Sequence, residues 1–129
     1  MEFSEREITL LYKPGVKKDK NTYVLASQIT PHIKEIDVYK DKLTETQLLS
    51  IVTMLGIDVE KIVERESDIY KDQYDGKSFD TMGWIQVLVQ NPDLIKTPIA
   101  IKGKKALLIE TPSNVLELDP NNGYHSLKK

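Results

Sequence analysis

The chain has 129 residues, a formal net charge of −2, 40% hydrophobic and 29% charged residues, and no cysteine. This is the size and composition of one soluble domain that can bury a core without disulfides or a structural metal. The balance of charge exerts no general pull on nucleic acid or anionic membrane, and the missing cysteine excludes disulfides, thiolate metal sites and thiol nucleophiles.

No apolar run is long enough to span a bilayer, and the acidic start Met1-Glu2-Phe3-Ser4-Glu5-Arg6-Glu7 lacks the apolar core of a signal peptide. A cytoplasmic address is therefore expected. The only histidines, His32 and His125, are far apart, so neither a metal nor a cofactor is expected.

Ile8-Thr9-Leu10-Leu11-Tyr12 is a compact apolar run ending at Lys13-Pro14-Gly15, which reads as a buried strand and a loop. Asp19 is placed to cap a helix through Asn21, Tyr23, Val24 and Ala26. Pro31 breaks that pattern, and residues 32–39 read as a second strand, with Ile36 and Val38 on one side.

Thr44-Glu45-Thr46-Gln47 is a capping box before Leu48, Ile51, Val52 and Leu55, and Gly56 stands where that helix should stop. Asp58 can cap a short helix carrying Val59, Ile62 and Val63. Residues 64–77 are charged and contain the turn signal Asp75-Gly76. Asp80 can start a helix with Trp84, Ile85 and Leu88 on one face and Asn91-Pro92 as the stop.

Residues 98–101 and 106–109 predict a hairpin around Lys102-Gly103-Lys104-Lys105. Thr111-Pro112 is a cap and first-turn proline for a closing helix through Val115, Leu116 and Leu118. Residues 119–129 read as a loose polar tail. The order is β-α-β, then helices, then β-β-α. This is the α/β order of a thioredoxin-like fold with a mixed sheet and a helical insertion at about 44–91, here in a single domain over residues 1–129.

Within this frame, Ile8-Thr9-Leu10-Leu11-Tyr12-Lys13-Pro14 followed by Lys20-Asn21-Thr22 resembles the opening of the arsenate reductase (ArsC) family. Gln90-Asn91-Pro92-Asp93-Leu94-Ile95-Lys96-Thr97-Pro98-Ile99 is similar to that family's His-Pro-x-Leu-(Ile/Leu)-x-Arg-Pro-Ile signature, and Thr111-Pro112-Ser113 to its Arg-Pro-Ser. Leu55-Gly56-Ile57 and Tyr70 also fit. The resemblance covers about residues 7–118.

It implies a reactive cysteine at the position held by Val16, and oxyanion-holding arginines at Glu64, Thr97 and Thr111. A valine is no nucleophile, and Glu64 would repel arsenate. The resemblance therefore carries the fold and argues against the reaction. It further implies that the Thr97–Pro98 bond is cis and faces the Val16 loop.

Lys17, Lys18 and Lys20, with Asn21, stand at the start of the first helix, where free N–H groups and the helix dipole receive anions. They are the candidate site for a small anion or protein partner, together with Arg65, Thr97 and Pro98. A solvated basic loop accounts for the same run. Gly76-Lys77-Ser78 lacks the earlier glycine of a phosphate loop, since Lys71 is there instead. Lys102, Lys104 and Lys105 at a hairpin tip lack interleaved aromatics, which argues against direct nucleic-acid binding.

The expected role is a binding or regulatory module without thiol redox or arsenate reductase activity. The alternatives are an Spx-like regulator that binds the RNA polymerase alpha C-terminal domain, or a non-thiol enzyme or binder of a small anionic ligand at residues 16–20. Spx-like proteins usually keep a cysteine near the Val16 position. Gly56 is shared by both branches and does not discriminate.

Overall fold

The computed structural model describes residues 2–120. His125 and most of the expected tail lie outside the described residues. Among the described residues, four strands and three α-helices are joined by short 3-10 and π turns. They are β1 (Ile8–Tyr12), α1 (Lys17–Ala26), β2 (Ile33–Asp37), α2 (Glu45–Leu55), α3 (Thr81–Gln90), β3 (Ile99–Lys102) and β4 (Lys105–Leu108). The chain divides into two compact units: one runs from Val38 to Lys96, and the other joins Glu2–Asp37 to the described residues from Thr97 onward.

The second unit holds the sheet, in the order β2-β1-β3-β4. β1 and β2 are parallel, with Leu10 beside Glu35, while β3 runs antiparallel to both β1 and β4. The expected mixed sheet is thus present. β1 and β3 are buried on both faces, which is why their sequences read as continuous apolar runs rather than alternating ones. One face gathers Ile8, Leu10 and Ala100 with Ala26 of α1 and Val115 and Leu118 of the C-terminal turn.

Three expectations need correction here. Asp19 does not cap α1: the helix begins at Lys17 after Val16, and Asp19 lies inside its first turn. Its carboxylate instead accepts the Lys13 N–H, as described below. The strand β4 begins at Lys105, paired with Lys102, so the hairpin turn is confined to Gly103-Lys104. Gly103 there has φ 58°, a conformation that favours glycine. The closing helix is 3-10 rather than α, over Pro112–Leu118, with Asn114 Oδ1 accepting the Thr111 N–H at 3.0 Å.

The first unit is helical. The Thr44–Gln47 capping box forms: each side chain accepts the other residue's N–H, at 3.1 and 3.0 Å. Gly56 ends α2 with φ 67°, the left-handed stop that glycine adopts most readily. Asp80 Oδ1 accepts the Gly83 N–H at 2.7 Å and starts α3. Leu48, Ile51, Trp84, Ile85 and Leu88 are buried. The Phe79 ring meets Trp84 edge-on at 4.9 Å, a geometry aromatic pairs favour. A β-bridge between Val63 and Ile95, flanked by Glu64 N–H to Leu94 O and Lys96 N–H to Ile62 O, ties the ends of the unit's later half together. The charged stretch contains a π turn over Tyr70–Tyr74 that the sequence pattern did not predict.

No helix among the described residues is long and apolar enough to cross a membrane.

Two stability outcomes follow from this core. Leu88→Ala removes a fully buried side chain and should cost about 2–5 kcal/mol. Thr44→Ala removes one half of the capping box and should cost about 1 kcal/mol. Urea denaturation followed by the fluorescence of Trp84 measures both. An unchanged midpoint for Leu88→Ala contradicts its place in the core.

Candidate functional site

The end of β1 and the start of α1 enclose a tight turn. Tyr12 ends the strand, and Pro14-Gly15 turns the chain, with Gly15 at φ 81°. Val16 then stands as the residue before the helix, in extended conformation. The turn is pinned from inside α1. Asp19 Oδ2 accepts the Lys13 N–H at 2.8 Å, a buried bond across the loop. Asp19 is 2% exposed, and its Oδ1 is buried without a hydrogen-bond donor.

A cavity of about 340 Å³ opens beside this turn. Its wall includes Tyr12, Val16, Asp19, Lys20, Tyr23 and Glu35. The register explains the grouping: Leu10 and Tyr12 are two apart and share a face of β1, and Leu10 pairs with Glu35 of β2. Tyr23 lies four residues after Asp19, one helical turn along the same side of α1. Val16, at the position implied for a cysteine, is 38% exposed on this wall.

The expected site residues are distributed unevenly. Of the lysines, Lys20 lines the cavity, whereas Lys17, Lys18 and Asn21 occupy the first turns of α1 outside its wall. Thr97 and Pro98 are buried, and the bond between them is cis. Because Leu11 pairs with Ile99 in antiparallel register, this bond leads into β3 at the end of the sheet where β1 runs into the Val16 loop. Thr111 is exposed at the start of the last turn.

Glu64 and Arg65 belong to the helical unit. The Arg65 guanidinium donates to the Tyr70 hydroxyl, lies 5.3 Å from that ring's centroid and stands 4.0 Å from the Glu60 carboxylate. These contacts commit Arg65 to its own neighbours.

Sequence reasoning overlooked Glu35 and misassigned Asp19. Both are acidic residues in stretches that read as a strand and a helix start. The one available signal was an aspartate set among lysines in a first helical turn with few apolar residues, Lys17-Lys18-Asp19-Lys20. The chemistry these residues offer is that of two carboxylates, Asp19 and Glu35, beside two tyrosines, with Lys20 also on the wall. No thiol is present to act there.

Comparison with known proteins places this geometry. The chain is similar to the uncharacterized protein YfgD of Escherichia coli strain K12, 25% identical over 117 residues, which span 88% of this chain and 97% of that one. An arsenate reductase from Vibrio cholerae superposes with a TM-score of 0.80 at 21% identity, covering 88% of this chain and 98% of that one. An arsenate reductase (ArsC) related protein from Brucella melitensis superposes with a TM-score of 0.63 at 15% identity, covering 86% and 92% respectively. These structural likenesses establish the thioredoxin-like α/β fold. The family model for ArsC matches residues 15–118, so the chain belongs to the ArsC family, as a member without a cysteine.

Proposed function

We propose that this protein is a non-redox member of its family, a binding or regulatory module that uses the cavity beside Val16 for recognition rather than for thiol chemistry. The observation that carries this reading is Val16 itself. It stands before the first turn of α1, on the cavity wall, at the place the family resemblance assigns to the thiol.

A thiolate is the attacking group in cysteine chemistry, and a valine side chain has neither lone pair nor proton to exchange. The 129 residues contain no cysteine that could substitute from elsewhere. The positions that the resemblance assigns to oxyanion-holding arginines carry Glu64, Thr97 and Thr111, so a tetrahedral oxyanion finds no bidentate guanidinium from them. What remains is a walled concavity of small-ligand size, with ionisable and aromatic side chains on an ordered strand–helix junction. Such a site is equipped to recognise a ligand or a partner's side chain.

The test is arsenite formation from arsenate with glutathione and glutaredoxin, measured against heat-killed protein. No turnover above that control is expected, and Val16→Cys alone is expected not to create it, because the missing arginines are not restored. Clear turnover by the unaltered protein overturns the non-redox reading. Turnover by Val16→Cys shows that only the thiol had been lost and that the oxyanion site survives in another form.

A further inference from the structure

The apolar side chains that this chain leaves exposed are not scattered. Val16, Tyr23 and Val24, at 38%, 38% and 51%, account for half of the large hydrophobic residues exposed among the described residues. All three belong to α1 or to the residue before it. Exposed apolar residues standing singly need no explanation, whereas a cluster marks a contact surface. Elsewhere the exposed rings serve the fold itself. Phe79 precedes the Asp80 cap and packs on Trp84 as a hydrophobic staple, and the Tyr39 hydroxyl donates to Asp93 Oδ1 at 2.9 Å.

The inward side of α1 is filled by Asp19, Thr22 and Ala26, so Val24 lies on the opposite side of the helix. Lys17 and Lys20 precede Val24 by seven and four residues, Lys20 precedes Tyr23 by three, and Val16 precedes Lys20 by four. Residues so spaced share one flank of a helix. Lys17 and Lys20 are exposed, and Lys18 beside them is half-buried. None of these lysines forms an ion pair among the described residues. The helix's own acid, Asp19, is buried and holds the Lys13 N–H. The exposed flank of α1 is therefore positive and interleaved with apolar side chains.

Unpaired cations among apolar groups complement a partner that brings carboxylates together with an apolar side chain. The surroundings favour a peptide over a membrane. An interfacial helix lays a long apolar face on a flat bilayer, whereas this patch covers only about two helical turns. Its edge sinks into the cavity of about 340 Å³, where Val16 and Tyr23 stand on the wall. Leu10 and Pro14 line the same wall, and there Lys13 and Lys20 are matched by Asp19 and Glu35. A wall so balanced suits an uncharged side chain.

We propose that the exposed flank of α1, from Val16 to Val24, docks an acidic peptide segment of a partner protein. Carboxylates of that segment pair with Lys17 and Lys20, and one uncharged apolar side chain lodges in the cavity beside Val16. This rests on the binding reading above and gives that site its partner's chemistry.

The experiment pans random peptides displayed on phage against the full chain. Enriched sequences are synthesised, titrated by fluorescence anisotropy and mapped by amide NMR shifts. Vesicles of phosphatidylserine are titrated in parallel. Sequences that set several aspartates or glutamates around an apolar residue are expected, with saturable shifts over α1. Replacing Lys17→Glu and Lys20→Glu together should weaken binding about tenfold, because two exposed charge pairs become two repulsions. Val24→Ser should weaken it about threefold, since a half-exposed valine then has less apolar surface to bury. Affinity should also fall as salt is raised. All three positions are exposed, and far-UV circular dichroism checks that each variant keeps its fold.

Panning that enriches no acidic sequences overturns the proposal. So does an acidic peptide whose affinity the lysine reversal leaves unchanged. Vesicle binding that is tighter than that of any enriched peptide, and is lost on lysine reversal, assigns the flank to a membrane and overturns it as well. The arsenite assay is independent: absent acidic-peptide binding with no turnover removes this inference alone, whereas turnover removes the non-redox reading.

Discussion

The hydrogen bond from Lys13 N–H to Asp19 Oδ2 sets the shape of everything around the candidate site. It crosses the turn between β1 and α1 from the buried side, at 2.8 Å. The turn it spans includes Pro14, which has no N–H, and Gly15, with φ 81°, so the segment has few backbone bonds of its own. Val16 N–H to the Lys13 carbonyl, at 3.4 Å, is a long one. A carboxylate in the first turn of a helix also interacts favourably with the helix's positive end. The acid thereby holds the loop, favours the start of α1 and fixes the direction of its second oxygen. Val16, Lys20 and Tyr23 take their places on the cavity wall from the helix start that this bond helps define.

The parts of the fold that were legible in the sequence are those written in local chemistry. Thr44 with Gln47, Gly56, and Asp80 ahead of Gly83 each satisfy backbone groups within a few residues, and such pairings can be read from spacing. The apolar strands were legible for a different reason: β1 and β3 are buried on both faces, and burial of that kind leaves an uninterrupted hydrophobic run. The C-terminal turn kept its cap but not its type, since Thr111 and Asn114 close a first turn equally well in 3-10 and α geometry.

The site itself was less legible, because its defining residue is a buried charge. α1 buries Asp19, Thr22 and Ala26, a stripe at +3 and +4 spacing with only one apolar member. Apolar periodicity therefore gives no indication of which face is inside. Read by type, Asp19 is a helix cap and its flanking lysines are the candidate binders. Read by position, the aspartate is inside and two of the three lysines are off the wall. The π turn over Tyr70–Tyr74 escaped for a related reason: it lies in a charged stretch, and Tyr70 is its one buried residue, so neither composition nor period announces it.

The valine at position 16 and the aspartate at position 19 are physically consistent with each other. Residues three apart at a helix start are neighbours. A nucleophilic thiolate at the first position would depend on the positive helix end to hold its proton affinity down, and a carboxylate at the second would oppose that and repel any bound oxyanion. With Val16 in place, no anion has to form there, and the acid is free to serve the loop. The same change alters what the cavity can hold. A site built to stabilise negative charge would gather donors alone on its wall, whereas this wall sets the carboxylates of Asp19 and Glu35 beside Lys13 and Lys20. The missing thiol and the buried acid thus point the same way, away from a pocket that forms an anion at the head of α1.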